Sequence, residues 1–186
     1  MRRIKYIVIH HTGGDWGSAE VINHWHTDPP PNGTGWSKPG YHYVINNGFP
    51  TYRSHYENSK TTGWDGKVEE LVREEQTSNG VLGFNHSLIN ICLVGNFDIN
   101  IPTPAQTNSL ELICKHLCKK YKLEPSAIIG HHDAIRLREK RDNKRKKDHN
   151  KTCPGNRIYE LDVLDDVRDA ISNDTFFFLD DEQENG

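Results

Sequence analysis

The chain has 186 residues, enough for one domain with a real core, and 34% of them are hydrophobic. A net charge of −3 gives no global attraction for nucleic acid, and no apolar run is long enough to span a bilayer. Cys92, Cys114, Cys118 and Cys153 lack the spacing of a small disulfide-stapled secreted fold, and the apolar run from Tyr6 to Ile9 is too short for the core of a signal peptide. Synthesis in the cytoplasm without an export address is expected.

The β-branched run Tyr6 to His10 predicts a buried strand. Ser18 is placed to cap a helix running to about Thr27, with Val21, Ile22 and Trp25 on one face. Asp28 to Gly40 is rich in Pro and Gly and predicts a loop. Tyr41 to Ile45 predicts a strand, turning through Asn46-Asn47-Gly48 into another around Thr51 to Arg53. Ser59 to Gly83 is polar with little periodicity and reads as a long loop with one helical turn near Val68 to Glu74. Ile89 to Val94 predicts a central strand. The clearest helix begins at Thr103, with Pro104 in its first position and Gln106 closing a capping box; Leu110, Ile113, Cys114, Leu117 and Tyr121 follow at helical spacing. Ala127 to Gly130 predicts a strand ending in His131, and Ile158 to Ile171 a last helix. Cys92, Cys114 and Cys118 read as buried thiols acting as small hydrophobes.

Strands alternating with helices give an α/β class: a single domain with a central mixed β-sheet flanked by helices and a site at the strand ends. The domain is expected over residues 1–173, with a basic insertion at about 136–151 and an acidic tail at 174–186 that contains Phe176-Phe177-Phe178.

Three distant pieces share one chemistry: Ile9-His10-His11-Thr12, Gly130-His131-His132-Asp133 and Lys151-Thr152-Cys153-Pro154-Gly155. Two imidazoles and a thiolate are the ligands of an open Zn²⁺ site with a fourth position left for water. If each His pair continues its strand, only one of its members faces a given side. Periodicity does not choose which.

The chain resembles the zinc N-acetylmuramoyl-L-alanine amidase family, which includes phage lysozyme-type amidases and animal peptidoglycan recognition proteins. The matching pieces are YIVIHHTGG at Tyr6, VINHWH at Val21, GW at Gly35, GYHYVINNG at Gly40, GFNHSLINICLVGNF at Gly83, TPAQ at Thr103, IIGHHD at Ile128 and KTCPG at Lys151. They occur in family order. The resemblance implies His10, His131 and Cys153 as Zn²⁺ ligands, Tyr41 and Lys151 as catalytic residues, and supporting positions for His11 and His132. It also places Cys92 where related cytosolic amidases carry a Glu.

The implied reaction is hydrolysis of the amide between N-acetylmuramic acid and L-alanine of the peptidoglycan stem peptide. Lys151 would stabilise the oxyanion and Tyr41 orient the water or intermediate; the proton donor to the departing nitrogen stays open between Tyr41, Lys151 and water. Endolysin-type action is expected, by a monomer that reaches the wall after release. Two other functions are weighed: a non-catalytic peptidoglycan-binding module, and a cysteine hydrolase with Cys153 as nucleophile. Three departures from the family stand out. The basic run between the second and third pieces reads either as a solvated surface insertion or as an electrostatic contact with an anionic wall or membrane surface. Trp64 stands where phage-type members often have a Gly-x-His piece, and offers a stacking face for sugar. No separate wall-binding domain is visible.

Overall fold

A computed structural model describes residues 2–173; the Phe176 to Phe178 segment and the acidic tail lie outside the described residues. Strands β1 (Tyr6–His11), β2 (Tyr43–Asn47), β3 (Asp65–Glu70), β4 (Leu88–Leu93) and β5 (Ile128–Gly130) form one sheet in the order β3-β2-β4-β1-β5. β1 lies parallel between β4 and β5, β2 runs parallel to β4, and β3 is an antiparallel edge. All six residues of β4 are buried, as expected of a parallel strand covered on both faces.

One face of the sheet is apolar at its centre. Ile7, Ile9, Ile45, Ile89, Ile91 and Leu93 pack there against helix α3 (Pro104–Tyr121) and helix α6 (Val163–Ser172). Fully burying one such side chain contributes roughly 1.5–3 kcal/mol, so this face holds the fold together. The other face is divided. Val8, Leu88 and Ile129 meet Ala134 of helix α4 (His131–Asp142), while Val44 and Val94 meet Ala19 and Ile22 of helix α1 (Ala19–Thr27). Strand alternation puts His10, Asn90 and Cys92 on this second face, with His10 opposite Cys92 and Val8 opposite Asn90.

The expected helix starts are present. Ser18 Oγ accepts the Val21 N–H at 3.3 Å, and Thr103 and Gln106 close a capping box with two bonds of 3.1 Å. Gln106 does more than cap. Its buried Nε2 donates to the carbonyls of Ile45 at 3.1 Å and Val94 at 2.9 Å. One side chain thus ties the start of α3 to the ends of β2 and β4. Cys92, Cys114 and Cys118 are buried free thiols.

Four expectations are corrected. Thr51 to Arg53 is not a strand: Thr51 caps helix α2 (Tyr52–Tyr56) through a Thr51–Ser54 capping box. The antiparallel partner of β2 is instead β3, in the stretch read as loop with a helical turn. Its sequence DGKVEE carries charges because it is a partly exposed edge, where charged side chains discourage further pairing. The last helix is two, α5 (Asn156–Glu160) and α6, separated at Asp162, which adopts the left-handed conformation with φ of 52°. His131 opens α4 rather than ending β5, so strand alternation does not govern His131 and His132; they are helical neighbours about 100° apart.

The basic stretch is likewise not uniformly solvated. Its first part is α4, and Arg138 is buried, donating to the Leu82 carbonyl at 2.6 Å and pairing with Asp148. The loop that follows returns Cys153 to the sheet through two close approaches. A Cβ on Gly130 would lie 1.9 Å from Tyr159 Oη and 2.8 Å from Pro154 Cδ. A Cβ on Gly155 would lie 2.4 Å from the carbonyl carbon of Phe97, and Gly155 has φ of +114°.

Two stability predictions follow from these contacts. Gln106→Ala strips donors from two buried carbonyls and is expected to cost about 2–3 kcal/mol in urea unfolding. Gln106→Glu should cost at least as much at neutral pH, because a carboxylate cannot donate; a Glu variant as stable as wild type would contradict the bridge. Gly155→Ala meets backbone at a disfavoured φ and should cost about 3 kcal/mol or more. Gly130→Ala should cost less, since Gly130 has an ordinary φ of −77° and the new methyl meets the side chains of Tyr159 and Pro154 rather than backbone; equal losses would show that space, not backbone conformation, limits the loop.

Candidate metal centre

β1 delivers His10 to the second face of the sheet with 1% of its surface exposed. α4 delivers His131 from its first position, and the loop between α4 and α5 delivers Cys153. The two imidazole rings stand 4.6 Å apart, centroid to centroid. One ligand-capable atom from each of His10, His131 and Cys153 lies within 4.8 Å of the others. His10 Nδ1 is 3.7 Å from Cys153 Sγ, and ligand atoms of a tetrahedral zinc site are about 3.3–3.8 Å apart.

The local sequence explains how each side chain is held. His10 Nε2 is bonded to Asn90 Oδ1 at 2.9 Å, leaving Nδ1 to face the cleft. The Gly130 N–H donates to Asp133 Oδ2 at 2.9 Å, fixing the first turn of α4, and Tyr159 Oη donates to the same oxygen at 3.0 Å. The Cys153 loop is clamped by Asp98, which follows β4. Its carboxylate accepts from Thr152 Oγ1 at 2.9 Å and from the Asn156 N–H at 3.0 Å. The Cys153 carbonyl accepts the His132 N–H at 2.9 Å.

Burial dominates the electrostatics. It drives the His10 imidazole well below its ordinary range, helped by His131. It lowers His131 to about 3, with the Lys151 charge next in effect. Both rings therefore present lone pairs at neutral pH. Burial pushes the Cys153 thiol up to about 12, so this thiol stays protonated until a cation replaces its proton. Two neutral nitrogen donors and one sulfur suit Zn²⁺ and leave a fourth position open.

The cluster forms part of a cleft of about 360 Å³ whose lining also includes Trp36, Tyr41 and Lys151. The Tyr41 ring stands 5.0 Å from that of His10. Burial and the neighbouring Cys92 hold its phenol well above the usual range, so it remains an O–H donor. Tyr41 precedes β2, which begins at Tyr43. Lys151 is exposed at the rim. All five site residues expected from sequence thus come to one cleft.

Their neighbours do not join the cluster. His11 Nδ1 accepts the Phe97 N–H at 3.1 Å, and His132 Nε2 accepts from Arg136 Nε at 2.9 Å. Trp64 is not in the cleft lining and has Lys67 Nζ 3.6 Å over its ring; Trp36 supplies the aromatic wall instead. Asp98, Asn90 and Ser78 escaped sequence reasoning, because nothing in an isolated Asp, Asn or Ser signals a partner many residues distant.

The family model described as N-acetylmuramoyl-L-alanine amidase matches residues 1–156. The endolysin of Enterobacteria phage T3 is 33% identical over 118 residues, which cover 60% of this chain and 62% of that protein. Among solved structures, the N-acetylmuramoyl-L-alanine amidase LysC from Clostridium intestinale superposes with a TM-score of 0.63 at 22% identity, covering 89% of this chain and 85% of that one. Drosophila peptidoglycan recognition protein SA superposes at 0.59 with 19% identity, over 87% of this chain and 78% of that one. These two likenesses carry the fold, and the family match carries the kinship: the chain belongs to the N-acetylmuramoyl-L-alanine amidase family.

Proposed function

We propose that the chain is a zinc-dependent peptidoglycan amidase of endolysin type, cleaving the amide between N-acetylmuramic acid and the L-alanine of the stem peptide. The observation that carries this reading is the convergence of His10, His131 and Cys153 within 4.8 Å on an open cleft. It is supported by the family match and by the endolysin relatives.

His10, His131 and Cys153 would hold Zn²⁺, which when bound would lower the pKa of a water to about 7 and polarise a carbonyl. The chain's own groups do the rest. Lys151, at the rim, brings a flexible ammonium to the carbonyl oxygen as negative charge develops there; a positioned donor of this kind is typically worth roughly 3 kcal/mol. Tyr41 keeps its proton and orients the attacking water or the developing oxyanion by donating a hydrogen bond. Trp36 walls the cleft with an apolar face on which a sugar or peptide can lie.

Cys92, opposite His10 in the sheet, is a buried thiol pushed well above its ordinary range. It offers no carboxylate base at that position, so proton handling falls to Tyr41, Lys151 and water. A cysteine hydrolase would need the reverse electrostatics at Cys153. An activated thiol is lowered below its free value by a cationic neighbour, whereas Cys153 is raised and its imidazole partner is a poor base. A binding-only module has no need of a complete ligand set, and this chain keeps all three residues.

Digestion of purified peptidoglycan followed by mass analysis tests the reading. Free stem peptides with L-alanine at the new amine end are expected, and EDTA should abolish their release. Cys153→Ser should lower activity at least about 100-fold. New reducing sugar ends would mean a glycosidase, and activity that persists in EDTA would favour the cysteine hydrolase.

A further inference from the structure

Behind His10 lies a chain of buried polar groups that a metal-binding cluster does not by itself require. His42, Ser78 and Asn90 are each 0% exposed. The Asn90 N–H lies 2.9 Å from His42 Nδ1, Ser78 Oγ lies 3.1 Å from the same nitrogen, Asn90 Nδ2 lies 2.9 Å from Ser78 Oγ, and Asn90 Oδ1 lies 2.9 Å from His10 Nε2. At the far end His42 Nε2 is 3.1 Å from the Gln76 carbonyl.

Proton positions on imidazoles and the orientation of amides must be inferred from their partners. Here both ends of the chain have fixed polarity. A backbone N–H only donates and a carbonyl only accepts. Asn90 N–H therefore requires a lone pair on His42 Nδ1, and Gln76 requires the proton on His42 Nε2. Arg2 Nη2, also 3.1 Å from that nitrogen, has the Glu74 carbonyl as its acceptor. Because His42 Nδ1 only accepts, the Ser78 hydroxyl meets it as a donor, sharing the lone pair with the Asn90 N–H, and its oxygen receives from Asn90 Nδ2. The amide is then fixed with Oδ1 towards His10, which must carry its proton on Nε2. The lone pair of His10 is left on Nδ1, the atom facing Cys153.

We propose that Asn90, held by Ser78 and His42, is a positioning residue that sets the tautomer of His10, so that its Nδ1 is presented as a metal-ligating lone pair before any metal arrives. The inference rests on the reading of His10, His131 and Cys153 as a metal site. Reversing the amide would place Asn90 Nδ2 against His10 Nε2, force the proton onto Nδ1 and aim an N–H at the cluster. Gly80 lies against this amide. Its Cα packs so closely on the Asn90 amide that a Cβ there would lie 2.6 Å from the amide carbon. Outer hydrogen-bond partners of metal-bound histidines commonly contribute 10- to 100-fold in metal affinity.

Two measurements decide the matter. Nitrogen-15 NMR of histidine rings in the metal-free wild-type protein should show His10 protonated on Nε2; a proton on Nδ1 overturns the proposal without any variant. Zinc affinity, measured by competition with a chromophoric chelator, should fall about 10- to 100-fold in Asn90→Leu. Asn90→Asp keeps an acceptor towards His10 and should bind more tightly than the Leu variant. Ser78→Ala removes only the anchor of the amide, and should show a smaller loss together with a mixed His10 tautomer. Folded Asn90→Leu that binds zinc within about twofold of wild type would refute the relay. Wild-type protein that binds no zinc would refute the ligand set instead, and the NMR result alone would then judge the relay. Should Asn90→Leu not fold, the wild-type spectrum and Ser78→Ala carry the test.

Discussion

The parallel register between β1 and β4 is the constraint from which the cleft follows. It sets His10 beside Cys92 and Val8 beside Asn90, with all four side chains on the face opposite the α3–α6 layer. Side-chain period in a strand is 2, so a slip of one residue would exchange His10 for His11 and drive a polar ring into the isoleucine layer. The Ile7, Ile9, Ile89 and Ile91 packing that opposes this slip is therefore also what aims the imidazole. Stability and site geometry share one cause, and the apolar face does the enforcing.

The second face bears the cost of that arrangement. His10, His42, Ser78 and Asn90 bury polar groups that would each be unfavourable alone. They are tolerated because each is bonded to the next, from Asn90 N–H through to the Gln76 carbonyl. Such a network is all or none: one missing member leaves a buried donor or acceptor without a partner. The stretch from Leu71 to Val81 is thereby tied to the His10-bearing face of the sheet rather than merely covering it. Leu71 and Val72 both donate to the His42 carbonyl, and Asn79 to that of Pro39.

Legibility in the sequence tracked the range of the interaction. Capping at Ser18 and at Thr103–Gln106 is written within three residues, and both sites formed as the spacing required. Buried runs such as Leu88 to Leu93 announced themselves by composition. β3 did not, because an exposed edge strand keeps charges on both faces and owes its place to backbone pairing with β2. A β-branched residue and an aromatic after a turn predict a strand at Thr51, yet its hydroxyl and that of Ser54 complete a cap. His10, His131 and Cys153 could be named only through the ordered family pieces, since spacing left each histidine pair undecided. The residues that hold them, Asp98, Asn90 and Ser78, act across the fold and have no local signature.

The close glycine contacts explain why the long basic stretch need not disturb the site. Closing a flexible loop costs entropy that grows only slowly with its length, so inserting residues between His131 and Cys153 is cheap if both ends are held. One end is fixed by α4 and its Asp133 cap. The other is held by Asp98 and by the approach of Gly155 to the Phe97 carbonyl. Arg138, buried against Leu82 and Asp148, pins the middle. The position of Cys153 is then held by contacts on both sides of it, at Thr152, Gly155 and Asn156, and by the His132 N–H to its carbonyl.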